Sequence, residues 1–504
     1  MNSRQINWID QLAKGGWLNA LLTAIAGASL VTTFAPFHLW YLVFPGLIWL
    51  ILPLQSLNSR QTLLRGMWFN LGFFSAGISW VHISVYRFGN VPLPLSIPLT
   101  ALLIGLLSLF ATLTVILLNR YFSKLEPRRY FLIAFPLVWI FMEWVGGWFF
   151  TGFPWFNLGH GQVDGMLSAI APFMGSTAIS FVIVLIAGLT VLTLREGAKV
   201  IRLTSSIFLV LILAVIILQQ IQWVKATEKT LSVSLIQPSI PQQRKWLKEE
   251  QIQTLEYFQQ VTEQLDSQLV VWPEGAVPAL ERQVDNYLQR VSFDASQKSQ
   301  AVLTGIPVLE QDKFFNAAIM LGEGQGRYYK QHLVPFGEYV PLESKLRGLI
   351  GIFDLPMSSF SSGDDDQPLL KVADWSLTMA LCYEIIFQDI VANQLPGAEI
   401  LVTLSNDAWF GASIGAYQHL GIARMRALEN GIPVIRATND GISALIDHQG
   451  KVQKSMGKFE KGVLSGVING VEGQTLYRQL GPSWSYFIIL SILVLILVIT
   501  RSKA

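Results

Sequence analysis

The sequence predicts a multi-pass α-helical membrane domain followed by an α/β domain of layered sheets, with one more membrane helix closing the chain. Three observations lead there. Only 14% of the 504 residues are charged and 52% are hydrophobic, against roughly 25% charged in an ordinary soluble domain. The charges are also unevenly spread: the first 225 or so residues are poor in them, whereas about 227–480 has the make-up of a normal globular protein. Within that second region short β-rich runs alternate with helical ones, the pattern of an α/β fold.

Apolar runs able to cross roughly 30 Å of hydrocarbon occur about eight times. They lie near 17–35, 39–57, 66–84, 95–118, 131–150, 167–194, 206–223 and 484–500. The first is read as a retained span and not a cleaved leader, although Ala26-Gly27-Ala28 supplies small residues, because further spans follow at once. Basic residues mark alternate loops. Arg4 and Lys14 precede the first run, and Arg60 and Arg65 lie between the second and third. Arg120, Lys124, Arg128 and Arg129 separate the fourth and fifth; Arg195, Lys199 and Arg202 follow the sixth; Arg501 and Lys503 follow the last. The other short loops hold almost none, Arg87 excepted. The positive-inside rule then puts both termini in the cytoplasm, and seven crossings carry the polar region to the far side. The expected divisions are 1–226 with seven spans, 227–482 as the exported domain, and 483–504 as the last span. A net charge of +2 gives no argument for a nucleic-acid partner.

Within the exported region, Leu231-Ser232-Val233-Ser234-Leu235-Ile236 alternates apolar with polar until Gln237-Pro238, and residues 248–265 carry apolar side chains at helical spacing. Leu269-Val270-Val271-Trp272 is a continuous apolar run ended by Pro273, as a strand buried on both faces is. Further strands are expected at 301–306, 316–321, 377–381, 400–404, 432–437 and 442–447. A helix is expected at 415–430, where Ala416, Leu420, Ala423 and Ala427 share a face.

Cys382 is the sole cysteine, so an internal disulfide is excluded and a metal site is poorly supplied. A packed apolar thiol or a nucleophile remains. Two other segments favour the nucleophile: Trp272-Pro273-Glu274-Gly275 and Tyr329-Lys330-Gln331-His332-Leu333-Val334-Pro335. Glu274 and Cys382 each follow an expected strand, as does Lys330 after Arg327-Tyr328-Tyr329, and strand ends project side chains into a shared crevice. Alone, Glu274 would be a solvated loop carboxylate and Lys330 a surface lysine. Together a carboxylate, an ammonium and a thiol are the parts that covalent acyl transfer needs.

Trp272-Pro273-Glu274, Lys330-Gln331-His332-Leu333 and Cys382-Tyr383-Glu384 resemble the Glu-Lys-Cys triad of the nitrilase (carbon–nitrogen hydrolase) superfamily. The membrane-embedded layout resembles the apolipoprotein N-acyltransferase family within it. Further motifs look like that family's own: Gln237-Pro238-Ser239-Ile240-Pro241-Gln242 with Lys245-Trp246, Pro335-Phe336-Gly337-Glu338-Tyr339-Val340-Pro341, Ser405-Asn406-Asp407-Ala408-Trp409-Phe410-Gly411, and Arg436-Ala437-Thr438-Asn439-Asp440-Gly441.

The resemblance implies a nitrilase-like αββα sandwich for the exported domain, held at the periplasmic face of a bacterial inner membrane. It implies transfer of an acyl chain from a membrane phospholipid, typically the sn-1 chain of phosphatidylethanolamine, with no cofactor and no metal. The acceptor is the α-amino group of the S-diacylglyceryl cysteine that heads a diacylated apolipoprotein. Cys382 is then expected as nucleophile, Glu274 as general base, and Lys330 with the backbone N–H of Tyr383 as oxyanion donors. Glu338 is expected as a second essential carboxylate that orients Lys330 or the incoming amine. Tyr383 and Glu384 flank the nucleophile where the family needs them, Trp246 lines the entrance, Asn406 and Trp409 give support, and His332 is structural.

Residues 346–360, too apolar for an exposed loop, are expected to form a lid or arm at the lipid interface. Glu143 and His82 lie in or near spans, where an ionisable group is read as functional by default. Two other readings stay open: a tethered amidase acting on a small amide, and a non-enzymatic scaffold. Seven spans exceed what tethering needs, and a scaffold has no use for the triad.

Overall fold

The computed structural model describes residues 15–89, 91–341 and 359–501. They fall into two compact units. One holds the chain up to His82, Pro94–Gln222 and the part from Leu480 onward; the other holds Ile83–Leu93 and Trp223–Gln479. Of the segment expected as a lid, residues 346–358 lie outside the described residues.

Among the described residues five helices are long and apolar enough to cross a membrane: Leu93–Phe122, Pro127–Gly146, Met166–Lys199, Ile201–Gln220 and Pro482–Ile499. Length and composition of the described helices do not confirm the expected count of about eight. Trp17–Thr33 and Trp40–Ser56 are shorter, and Ser59–Ile78 has the length but carries Arg60, Arg65 and Asn70, each costly in hydrocarbon. Arg65 is nonetheless buried, donating from Nε to the Leu50 carbonyl at 2.8 Å. Asn58 starts that helix with a capping box: its side chain accepts from the Gln61 N–H at 2.9 Å, and the Gln61 side chain accepts from the Asn58 N–H at 3.1 Å.

The two ionisable residues singled out in this unit have local partners. Glu143 accepts from Trp139 Nε1 at 3.0 Å and from the Leu158 N–H at 3.1 Å, so it pins a turn of its own unit. The His82 ring meets the Ser79 carbonyl.

The other unit is built from β1 (Val224–Gln237), β2 (Leu269–Val271), β3 (Ala301–Glu310), β4 (Lys313–Gly322), β5 (Gly324–Gln325), β6 (Arg327–Tyr329), β7 (Leu370–Val372), β8 (Trp375–Met379), β9 (Ile400–Ser405), β10 (Val434–Thr438), β11 (Ser443–Ile446), β12 (Val452–Met456) and β13 (Gly462–Gly473). They form a six-stranded sheet in the order β13-β1-β2-β3-β4-β6 and a seven-stranded sheet in the order β12-β11-β10-β9-β8-β7-β5.

Period-two alternation sorts their side chains between two cores. Leu231, Val233, Leu235, Leu269, Val271, Ala301 and Leu303 meet Leu377, Met379, Ile400, Val402, Leu404, Ile435 and Ala437 in one buried cluster between the sheets. The intervening Ile236, Val270, Val302 and Ile306 pack with Phe258 of the helix Lys248–Glu263 and with Tyr287, Leu288 and Val291 of the helix Asp285–Gln297. Helix Gly415–Asn430 packs on β10 of the second sheet. The layers therefore run helix, sheet, sheet, helix.

Strand direction is what builds the site. β1, β2 and β3 are mutually parallel, as are β8, β9 and β10. β4 is antiparallel to both β3 and β6, so β6 runs with β3. Glu274, Lys330, Cys382, Asn406 and Asn439 each follow the C-terminal end of one of these like-directed strands, where side chains from separate strands can converge.

Candidate active site

Glu274 lies three residues past β2 and is buried. Its Oε1 accepts from Lys330 Nζ at 3.3 Å and from Asn316 Nδ2 at 2.8 Å, and its Oε2 accepts from the Asn406 N–H at 3.0 Å. Lys330 is 1% exposed and also donates to Glu338 Oε1 at 2.9 Å. Asn316 of β4 donates its amide to Glu338 Oε1 as well, at 2.8 Å. The other Glu338 oxygen accepts from the Val334 N–H at 2.8 Å, which folds the loop after Lys330 back on itself. An ammonium and an amide thus stand between two carboxylates that would otherwise repel.

Cys382 begins a 3-10 turn, Cys382–Ile386, and holds the left-handed φ of +51°. A non-glycine residue there is strained. Ser239 at +52°, Gly275 at +57° and Phe336 at +61° occupy the same region in three neighbouring loops. Residue Cys382 is half-buried, and Ser405 Oγ lies 3.3 Å from Sγ. Ser405 has one hydroxyl hydrogen and sits 2.6 Å from Asp407 Oδ1. While that hydrogen serves Asp407, the oxygen can accept from the thiol.

Below the turn, Arg436 Nη2 donates to Asp407 Oδ2 at 2.7 Å and lies 3.2 Å from His419 Nδ1. His419 Nδ1 accepting from Arg436 leaves Nε2–H to donate to the Cys382 carbonyl at 3.0 Å. Gly441 is obligatory beside this cluster, because a Cβ there would stand 2.1 Å from Asp407 Oδ2.

Glu384, fully buried, ties the thiol turn to the lysine loop. It accepts from the Leu381 N–H at 2.6 Å, the Gln331 N–H at 2.5 Å, the His332 N–H at 3.0 Å and Tyr328 Oη at 3.0 Å. The His332 ring packs on Phe387 with centroids 4.0 Å apart and lies 5.9 Å from the Tyr383 ring.

The charges follow from this packing. Burial pushes the Glu274 carboxyl up, but Lys330, the bonds from Asn316 and Lys330, and Lys245 outweigh it, leaving Glu274 below the usual carboxylate range. Burial lowers Lys330, yet Glu274, Glu338 and Cys382 hold it well above an ordinary lysine. Burial pushes the Cys382 thiol up and Glu274 adds to this, while Lys330 offsets only part. The site rests as thiol and carboxylate beside an ammonium. The lysine does not by itself make a thiolate, so a proton must leave sulfur as it attacks. Burial raises Glu384 to about 7.

Three residues of this constellation had no assigned part in the sequence reading. Asn316 sits in an apolar strand, and its only signal is an amide where a core residue is expected. Gln242 accepts from Asn406 Nδ2 at 2.6 Å. Asn439 bonds both the N–H and the carbonyl of Ile240, at 3.2 and 2.8 Å, and donates to Asn406 Oδ1 at 3.3 Å. Of the expected supporting residues, Glu338, Glu384 and Asn406 touch the site directly. Trp409 does not figure in those bonds; its ring packs 4.7 Å from Phe88 and its carbonyl accepts from Ser84 Oγ at 2.7 Å. Trp246 is half-buried at the end of the short helix Gln242–Lys245. Among the described residues no group of three His, Cys, Asp or Glu side chains is arranged to hold a metal ion.

Residues 232–476 match the carbon-nitrogen hydrolase family, which sets the class of the sheet-bearing unit, and residues 26–189 match the apolipoprotein N-acyltransferase N-terminal domain. A relative from Photobacterium profundum, named apolipoprotein N-acyltransferase, is 40% identical over 503 residues, 97% of this chain and 96% of its own length. A protein of the same name from Vibrio cholerae is 40% identical over 484 residues, 93% of this chain and 95% of its own. Among solved structures, a CN-hydrolase superfamily protein from Xanthomonas campestris covers 48% of this chain and 91% of its own, at 19% identity and a TM-score of 0.37. The chain belongs to the apolipoprotein N-acyltransferase family. It is an acyltransferase, and the five long apolar helices among the described residues fit a membrane protein.

Proposed function

We propose that this protein moves an acyl chain from a membrane phospholipid to the α-amino group of an S-diacylglyceryl-cysteine apolipoprotein, through a thioester on Cys382. The observation that carries this reading is the single network in which Glu274, Lys330 and Glu338 share bonds beside the half-buried Cys382, whose thiol feels the charges of Glu274 and Lys330. Glu274 takes the thiol proton as sulfur attacks the ester carbonyl. Two of the three Lys330 hydrogens serve Glu274 and Glu338, and the third, with the Tyr383 N–H, meets the developing oxyanion. Collapse breaks the ester C–O bond, and Glu274 hands its proton to the glycerol oxygen. A neutral acceptor amine then attacks the thioester; Glu274 takes one proton from nitrogen and returns it to sulfur as the C–S bond breaks.

On this reading phosphatidylethanolamine is the donor. Residues 1–226 and 483–504 supply eight spans in a bacterial inner membrane, residues 227–482 work on the periplasmic side, and both termini are cytoplasmic. The spacing of basic residues supports that orientation.

Mass spectrometry of the purified full-length protein, incubated with phospholipid alone, tests the intermediate. A chain-sized mass increase on the Cys382 peptide, absent in Cys382→Ala, is the expected result. Labelling that persists in the variant, or none in the wild type, counts against the thioester. A second variant tests the fastening of the two loops. Glu384 only accepts hydrogen bonds here, so Glu384→Gln turns an NH2 toward existing donors. Acylation of Cys382 should slow about 100-fold, the scale of a small misplacement of reacting groups. An unchanged rate in a stopped-time assay would remove Glu384 from the scheme.

A further inference from the structure

That scheme gives Lys245 no task, although it is only 3% exposed. Its Nζ donates to the backbone carbonyl of Glu274 at 3.2 Å. A Cβ on Gly275 would come within 3.2 Å of the same nitrogen, at a residue that already needs φ +57°. The turn after β2 is therefore closed down onto this ammonium. The loop bearing Lys245 is itself tied to the site: Asn439 bonds Ile240 through both backbone groups, and Asn406 joins Gln242 to Glu274, giving its side chain to the first and its N–H to the second. Glu274 is thus held by two buried lysines, Lys330 at its carboxylate and Lys245 at its carbonyl. The charged groups facing Lys245 are Glu274 and Asp440. Those facing Asp440 are Asp407, Lys245 and Lys458, and those facing Glu274 are Lys330 and Lys245.

We propose that Lys245 is a positioning residue for acyl transfer, fixing the Glu274 turn through its carbonyl and keeping Glu274 in the carboxylate form that accepts a proton in both half-reactions. This rests on Glu274 being the base. Burial lowers Lys245 to about 8, so it is still an ammonium at neutral pH and its charge acts on Glu274 across the acidic range. Removing a cation beside a carboxylate raises the carboxylate's pKa. Activity that the wild type keeps on mild acidification would then be lost sooner.

The test uses the full-length enzyme in phosphatidylethanolamine vesicles, with single-turnover acylation of Cys382 read by mass spectrometry across pH. Lys245→Gln keeps a donor for the Glu274 carbonyl and removes the charge. Its acidic limb should move up by about one pH unit, the low end of what a neighbouring opposite charge contributes, with kcat reduced about tenfold and KM for phospholipid little changed. Lys245→Arg keeps the charge and should restore the limb. An unmoved limb in Lys245→Gln overturns the proposal even if the rate falls, since a merely structural lysine would lower the rate without shifting a titration. Should Lys245→Gln fail to fold, a shifted limb in folded Lys245→Arg overturns it, and an unshifted limb supports it. Absence of the thioester in the wild type would instead remove the underlying reading, so the two failures are read from separate arms.

Discussion

Glu274→Gln should remove the base that takes the thiol proton, and acylation of Cys382 by phospholipid should fall about 10,000-fold. The size of the effect follows from the resting charges. Burial and the facing carboxylate hold the Cys382 thiol above its ordinary range, so the uncatalysed thiolate population is negligible at neutral pH. The amide also loses a hydrogen-bond partner, because Glu274 accepts from Lys330, Asn316 and the Asn406 N–H and a glutamine offers one accepting oxygen. In the wild type the sign of the pH dependence is set by the same residue. Glu274 lies below the usual carboxylate range, so acylation should persist on acidification and fail only as pH drops through that depressed value. A Glu274→Gln protein that still labels within tenfold of wild type would exclude this carboxylate as the base.

Lys330→Met should abolish acyl transfer and also weaken the fold. The substitution leaves Glu274 and Glu338 facing each other with only Asn316 between them. Breaking a buried pair by removing one partner costs about 3–5 kcal/mol, because the remaining charge stays desolvated. Glu274, no longer held down by the Lys330 charge, then takes up a proton more readily. Glu274 rises out of its depressed range, which removes the base, and the oxyanion loses its ammonium. Urea unfolding of the full-length protein in detergent, followed by fluorescence, checks the stability; the mass assay on Cys382 checks the chemistry. The stability loss should shrink at low pH, where protonation relieves the repulsion. A variant of wild-type stability at neutral pH would mean that Lys330 is not the keystone of this charge network.

Much of the α/β unit was legible from alternation alone. The strand expected at 400–404 is β9, Ile400–Ser405, and the helix expected at 415–430 is Gly415–Asn430. Alternation works here because each strand of the stacked sheets has two distinct apolar surroundings. The helix Asp285–Gln297 escaped notice although Tyr287, Leu288, Val291 and Ala295 are its buried face, because polar residues outnumber them. β12 carries no apolar stripe to find, since Val452–Lys454 and Ser455 are exposed, and β13 interrupts its pattern with Gly466 and Gly470. Length and composition leave the number of spans open: Ser59–Ile78 is 20 residues long but carries Arg60, Arg65 and Asn70. Hydropathy averages over a helix and does not see that Arg65 spends its charge on the Leu50 carbonyl.

What the sequence determined by itself is local: the order of apolar runs, the strands, and a thiol, a lysine and an acid each set just past a strand. Those follow from neighbours within a few residues. Only the tertiary structure decided which groups hold them. Asn406 reaches Glu274 across 132 residues, Asn316 across 42, and Glu384 grips the loop after Lys330 across 53. A hydrogen bond depends on distance and direction in space, and no periodicity along the chain encodes those for partners so far apart.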